Sequence, residues 1–176
     1  GLMLTIALIL PPPSGRIRMM NWSLRLLLVL GLSLAAPVAH AQALTQNTQL
    51  AFGALQKPSS GSQTFTVTRT GSTSGTGTKL YGTTAAGSYT ITRGSLPSGT
   101  ITIDIQNAST GSAAVTLGSF TGKWANTNIA SFPKSGLSRP NRGTGTVLLL
   151  GATLTYTSAV STGSLSPTFD IVLTQP

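Results

Sequence analysis

From residue 62 onward the chain alternates apolar and polar residues in short runs. In "TITIDIQ", residues 100–106, Ile101, Ile103 and Ile105 fall on one side, and Thr102, Asp104 and Gln106 on the other. A period of two with β-branched residues predicts a half-buried strand, because successive side chains of a strand point to opposite faces. The same pattern predicts strands in "QTFTVTR" (Phe65, Val67), "SYTITRG" (Tyr89, Ile91), "AAVTLGSF" (Val115, Leu117), "ATLTYTS" (Leu154, Tyr156) and "TFDIVLT" (Phe169, Ile171, Leu173). Threonine fills the outward positions, where its branched side chain suits a pleated surface and its hydroxyl meets water. The strongest apolar run, "GTVLLLGATLTYT" at 145–157, predicts a central strand with a bend or bulge at Gly151.

Turn-type clusters separate these runs: "KPSSG" (57–61), "GSTSGTG" (71–77), "LPSG" (96–99), "ASTGS" (108–112) and "STGSLSP" (161–167). Short strands spaced by Gly, Pro and Ser turns predict an all-β, antiparallel sandwich or barrel. One stretch breaks the rhythm. Residues 123–145, "KWANTNIASFPKSGLSRPNRGTG", lack clean alternation and are expected to form a long ordered loop, the first place to look for a binding surface.

The front of the chain has a different character. "MNWSLRLLLVLGLSLAAPVAHAQ", from Met20, carries basic Arg25, an apolar run from Leu26 to Ala36, and the small-x-small pattern Ala39-His40-Ala41. This is the three-part plan of a secretory signal peptide, predicted over residues 20–41 with cleavage after Ala41 or Ala43. This eleven-residue run falls short of the roughly 20 that cross a bilayer core. Residues 1–19 are expected to be translated sequence upstream of a native start at Met19 or Met20. A single exported domain over 42–176, without a transmembrane anchor, is the resulting organisation.

Composition narrows the chemistry. Thr, Ser and Gly supply 62 of the 135 residues from Gln42 onward, and the alternation running through them argues for a fold rather than a disordered polar tract. The chain has no cysteine, so no disulfide staples it, and its one histidine, His40, lies in the predicted signal. Its only acids are Asp104 and Asp170, against eight basic residues beyond Ala41, a formal +6.

A serine nucleophile needs a base, usually histidine, and zinc sites need His or Cys, so the expected domain is not an enzyme and holds neither metal nor cofactor. Asp104 and Asp170 are read as outward, solubilising residues rather than a glycosidase pair. "GSTSGTGTK" resembles a phosphate loop only superficially, since Thr78 separates Gly77 from Lys79 and Leu80 follows. Asn107-Ala108-Ser109 matches a glycosylation sequon by composition alone.

The candidate binding surface is Trp124, Phe132, Lys134, Arg139 and Arg142. A basic loop with aromatics fits an anionic polysaccharide or lipopolysaccharide through phosphate and carboxylate contacts; export argues against nucleic acid. The bland alternative is a solvated loop that keeps the domain soluble.

"LAFGAL" (50–55), "AAGSYTIT" (85–92) and "LLLGATLTYTSAVSTGSLSPTFDIVLT" (148–174) together resemble the bacterial secreted family catalogued as domain of unknown function 4402. The resemblance implies an exported immunoglobulin-like β-sandwich of Gram-negative bacteria, similar to fimbrial and spore-coat-U-type subunits, with no catalytic residues. The closing segment departs from the family's Gly-x-Tyr-x-Gly-x-Phe: it reads Gly163-Ser164-Leu165-Ser166-Pro167-Thr168-Phe169.

Two functions are therefore expected. The first is a pilus-like or adhesive subunit of the cell envelope, located in the periplasm, at the cell surface or outside the cell. It would assemble with itself or with other envelope proteins when "TQLAFGAL" or "TFDIVLT" adds to a neighbour's sheet edge. The second is a monomeric glycan-binding module that uses residues 123–145.

Overall fold

The computed structural model describes residues 43–94 and 99–175. The predicted signal peptide, the upstream segment and most of the "LPSG" turn lie outside the described residues.

Twelve strands follow one another: β1 (Ala43–Thr48), β2 (Ala51–Leu55), β3 (Ser62–Val67), β4 (Thr73–Gly75), β5 (Lys79–Ala85), β6 (Gly87–Thr92), β7 (Thr100–Ser109), β8 (Val115–Trp124), β9 (Thr127–Ile129), β10 (Lys134–Ser138), β11 (Thr146–Thr157) and β12 (Thr168–Thr174). All pair antiparallel, and no helix occurs among the described residues.

The 12-residue β11 organises the domain. One of its edges pairs with β8 from Leu148 to Tyr156. Its other edge is shared: β6 takes residues 146–150 and β3 takes 152–157. Gly151 sits at the handover. A β-carbon there would collide with the backbone of Val67, Thr68 and Arg69, so only glycine lets the end of β3 pass so closely. Opposite, Ser119 and Phe120 of β8 face the single residue Ala152, and Ser119 takes a left-handed φ of 47°. The predicted irregularity at Gly151 is thus a β-bulge carried mainly by the neighbouring strand.

The large sheet runs β1-β6-β11-β3-β4, with β8 and β9 branching from β11. Its inner face is covered by two smaller sheets. A three-stranded sheet, β10-β7-β12, closes the half containing Tyr89, Ile91, Trp124, Leu148 and Leu150, against Ile101, Ile103, Leu137, Ile171 and Leu173. The β2-β5 ribbon lies beside the other half, which contains Phe65, Val67, Val115, Leu117, Ala152, Leu154 and Tyr156, and contributes Phe52, with Leu50 just ahead of it. The structure is a β-sandwich-like all-β fold with two half-cores. Phe169 joins them, its ring edge-on to Tyr89 at 6.0 Å and tilted on Phe120 at 5.2 Å.

Three expectations need correction. Residues 123–145 are not a loop: they finish β8, turn back as β9, and cross to the other layer as β10, which pairs with β7. Their strands are too short, and β10 too irregular in register, to show an alternation. "GSTSGTG" contains β4 at the edge of the large sheet. "TQLAFGAL" is divided, with Thr48 ending β1 and Ala51–Leu55 forming β2 in a different sheet.

Candidate functional site

The structure separates the five residues expected to form one surface. Trp124 is the largest fully buried side chain, 0% exposed, and its indole Nε1–H donates to the Ser138 carbonyl at 2.7 Å. It is a core anchor that ties β8 to the end of β10, and no ligand can stack on it. This removes the principal aromatic from the expected sugar-binding surface. Phe132 is half-buried against the first half-core and lines a hollow of about 390 Å³ with Ile105 and Phe120. Lys134 is exposed at the start of β10, opposite Ile103, whereas Arg139 follows Ser138 at its far end, opposite Thr100. Five residues along a strand set these two cations roughly 15 Å apart.

The charges of Arg139 and Arg142 instead act on a residue distant in sequence, Arg93. The segment 138–146 is fixed at successive points: Ser138 by Trp124, Pro140 by burial, Asn141 through its N–H to Thr146 Oγ1 at 3.0 Å. Gly145, at φ 72°, lies so close to Thr90, Ile91 and Thr92 that a β-carbon would clash with them. Arg93 directly follows Thr92. The 138–146 segment therefore passes beside the end of β6, next to Arg93. Desolvation first, then the charges of Arg139 and Arg142, lower the Arg93 pKa from its ordinary value. The sequence carries no local sign of this: 46 residues separate Arg93 from Arg139, and only the pairing of β6 with β11 brings them together.

The two acids lie elsewhere. Asp104 accepts hydrogen bonds from the Ile105 N–H at 2.8 Å and Gln106 Nε2 at 2.7 Å, and Asp170 accepts from Asn107 Nδ2 at 2.6 Å. Both belong to the three-stranded sheet and are held by neighbouring amides. Asn107, at φ 52°, occupies a second bulge in which it and Ala108 face Phe169. Among the described residues no group of His, Cys, Asp and Glu could hold a metal ion.

A second feature lies at the opposite end of β11. A groove of about 760 Å³ opens between the β2-β5 ribbon and residues 160–167, over a floor of Val115, Leu154 and Tyr156. Three of the large apolar side chains exposed on the molecule line it: Leu80 at 57%, Tyr81 at 74% and Leu165 at 40%. Leu80 and Tyr81 lie where the pairing of β5 with β2 shifts register, Tyr81 opposite Ala54 and Lys79 opposite Leu55, which leaves Leu80 as the extra residue of a bulge.

The third feature is β1. Among the described residues it pairs only with β6, and of its own six residues only Leu44 is half-buried, packed against the first half-core. Asn47 adds side-chain hydrogen bonds to Thr90 Oγ1 at 2.7 Å and Ser88 Oγ at 3.4 Å.

No protein-family model, curated protein or solved structure matches this chain.

Proposed function

We propose that the protein is an exported structural or adhesive subunit of the cell envelope that works by strand contacts between copies and performs no catalysis. One observation supports this reading: β1 is a peripheral strand, contributing a backbone ladder to β6 and a single half-buried leucine to the core. A strand held mainly by its ladder is exchangeable, since an identical strand from a neighbour offers the same hydrogen bonds. When β1 leaves, the edge of β6 opens and the site of Leu44 on the first half-core is uncovered. The strand of a second copy then restores both.

The donor is Ala43–Thr48, which takes in only the first residue of the expected "TQLAFGAL". Gln49 and buried Leu50 alone connect β1 to β2, so an exchanging copy has to lie close by.

The test compares residues 42–176 with a version beginning at Gln49, both exported to a periplasm and followed by light scattering and negative-stain microscopy. The intact form is expected to give a ladder of oligomers or filaments that the shortened form lacks. A monomer from the intact form at all concentrations would overturn the reading.

A further inference from the structure

We propose that the groove beside the β2-β5 ribbon binds a fatty acid, taking one acyl chain along its floor and the carboxylate at Lys57. The site does not rest on strand exchange at β1.

The groove is open because the second half of β11 is covered by two strands rather than three. One wall is β2, whose residues from Ala51 to Leu55 all line it, and the other is the irregular segment 160–167. That segment starts from fixed points: the Ser158 N–H donates to the Gly61 carbonyl at 3.0 Å, and the Val160 N–H to the Thr157 carbonyl at 3.1 Å. The floor, Val115, Leu154 and Tyr156, belongs to the second half-core, so packing already in place shapes it. A volume of about 760 Å³ lies within the range of pockets that enclose small ligands. The apolar surface continues outward to Leu80, Tyr81 and Leu165 on the rim. Methylene groups displace water from such a surface favourably, and an exposed apolar patch of this kind marks a place where something binds.

Charge selects the head group. β2 ends and β5 begins at one end of the ribbon, where Leu55 lies opposite Lys79 and the Gln56 N–H donates to the Thr78 carbonyl at 2.8 Å. Lys57 comes next, exposed in the groove wall and held between that hydrogen bond and buried Pro58. Lys79 adds a second positive charge to the ribbon, its Nζ donating to the Gly82 carbonyl at 3.0 Å. Among the described residues that line the groove there is no acid, and both acids of the protein are held by amides in the three-stranded sheet. An ammonium is a compact charge that meets a single carboxylate without the two-pronged geometry of a guanidinium. An apolar trough with a lysine in its wall matches one acyl chain with an anionic end.

Two other occupants fit less well. The strand that exchange makes available from a second copy, β1, carries Leu44 as its one large apolar residue, too little for a floor and rim this apolar. A bilayer surface is met by an apolar face flanked by several cations, whereas here the apolar residues border a hollow and Lys57 is the one cation among its described lining residues.

The experiment is titration calorimetry on protein purified from cells expressing the full chain. The probes are octanoate, decanoate and dodecanoate below their micelle-forming concentrations, dodecyltrimethylammonium, and phosphatidylglycerol vesicles. One dodecanoate is expected to bind per protein, with affinity rising roughly threefold per added methylene and exceeding that for dodecyltrimethylammonium by about tenfold. Lys57→Glu should reverse the preference between the two head groups, while Lys134→Glu, with the same change in net charge outside the groove, leaves it in place. Leu80→Ser with Leu165→Ser should weaken dodecanoate by about fivefold. Absence of saturable binding, affinity independent of chain length, or a Lys57→Glu preference equal to that of Lys134→Glu would each overturn the proposal. Binding to vesicles without binding to dodecanoate would overturn it too and identify a lipid surface. If circular dichroism shows the rim variant unfolded, the reversal in Lys57→Glu, at an exposed position, decides alone.

Discussion

The inner face of β11 is one continuous row, Leu148, Leu150, Ala152, Leu154 and Tyr156, yet its two halves are covered differently. The first half meets a three-stranded sheet whose central strand β7 supplies Ile101 and Ile103, 2% and 0% exposed. The second meets a two-stranded ribbon, and the ribbon leaves a groove. A two-stranded ribbon is marginal by itself, so its order comes from Leu50 and Phe52 packing below it rather than from its own ladder. Complete cover makes a core; partial cover makes a core with an accessible edge.

Substitutions in the two halves test this difference. Trp124→Ala is expected to have the largest effect, about 3–5 kcal/mol, because it empties a fully enclosed site and leaves the Ser138 carbonyl without its donor. Leu154→Ala, at the floor of the groove, should cost about 2–3 kcal/mol, the lower part of the range, because the ribbon can settle into the space. Urea unfolding monitored by circular dichroism ranks them, and a Leu154→Ala cost equal to that of Trp124→Ala would show the second half to be as rigidly closed as the first.

A smaller effect should appear with pH. Burial raises the pKa of Tyr89, in the first half, with a hydrogen bond to the Leu50 backbone pulling it partly back, and burial raises that of Tyr156, in the second. Below the ordinary value of 10.0 both phenols are neutral in the folded and unfolded chains, so this contribution is fully present. Above it the unfolded chain loses its protons first, and stability falls until the folded values are passed. The urea midpoint should therefore drop above pH 10 in the wild type and drop less in Tyr89→Phe and Tyr156→Phe. The smallest change is expected for Tyr81→Ser on the exposed rim, within about 0.5 kcal/mol.

The same contrast explains what could be read from the sequence. Alternation identified β3, β6, β7, β8, β11 and β12 because each turns one apolar face into a half-core, and Gly151 marked an irregularity that the structure contains. It missed β1 and β5, which bury almost nothing and so carry no apolar period. It also missed β10, whose "KSGLS" holds a single core residue, Leu137, around a shift in register. Trp124 looked like a ligand-facing ring because its segment lacked a pattern; in the fold that segment crosses between layers, and the ring fills the crossing. Arg93 had no distinguishing neighbour in sequence. Its place beside the 138–146 segment depends on which strand lies beside β11.

β1 is the point on which the functional account rests, and native-state hydrogen exchange tests it directly. Amides of β1, together with those of β6 that face it, are expected to exchange through a shared local opening at a free energy well below that of global unfolding, while the β11 amides exchange only with the whole domain. Equal protection of β1 and β11 would mean that β1 leaves only when the protein unfolds, and would contradict strand exchange as its mode of assembly.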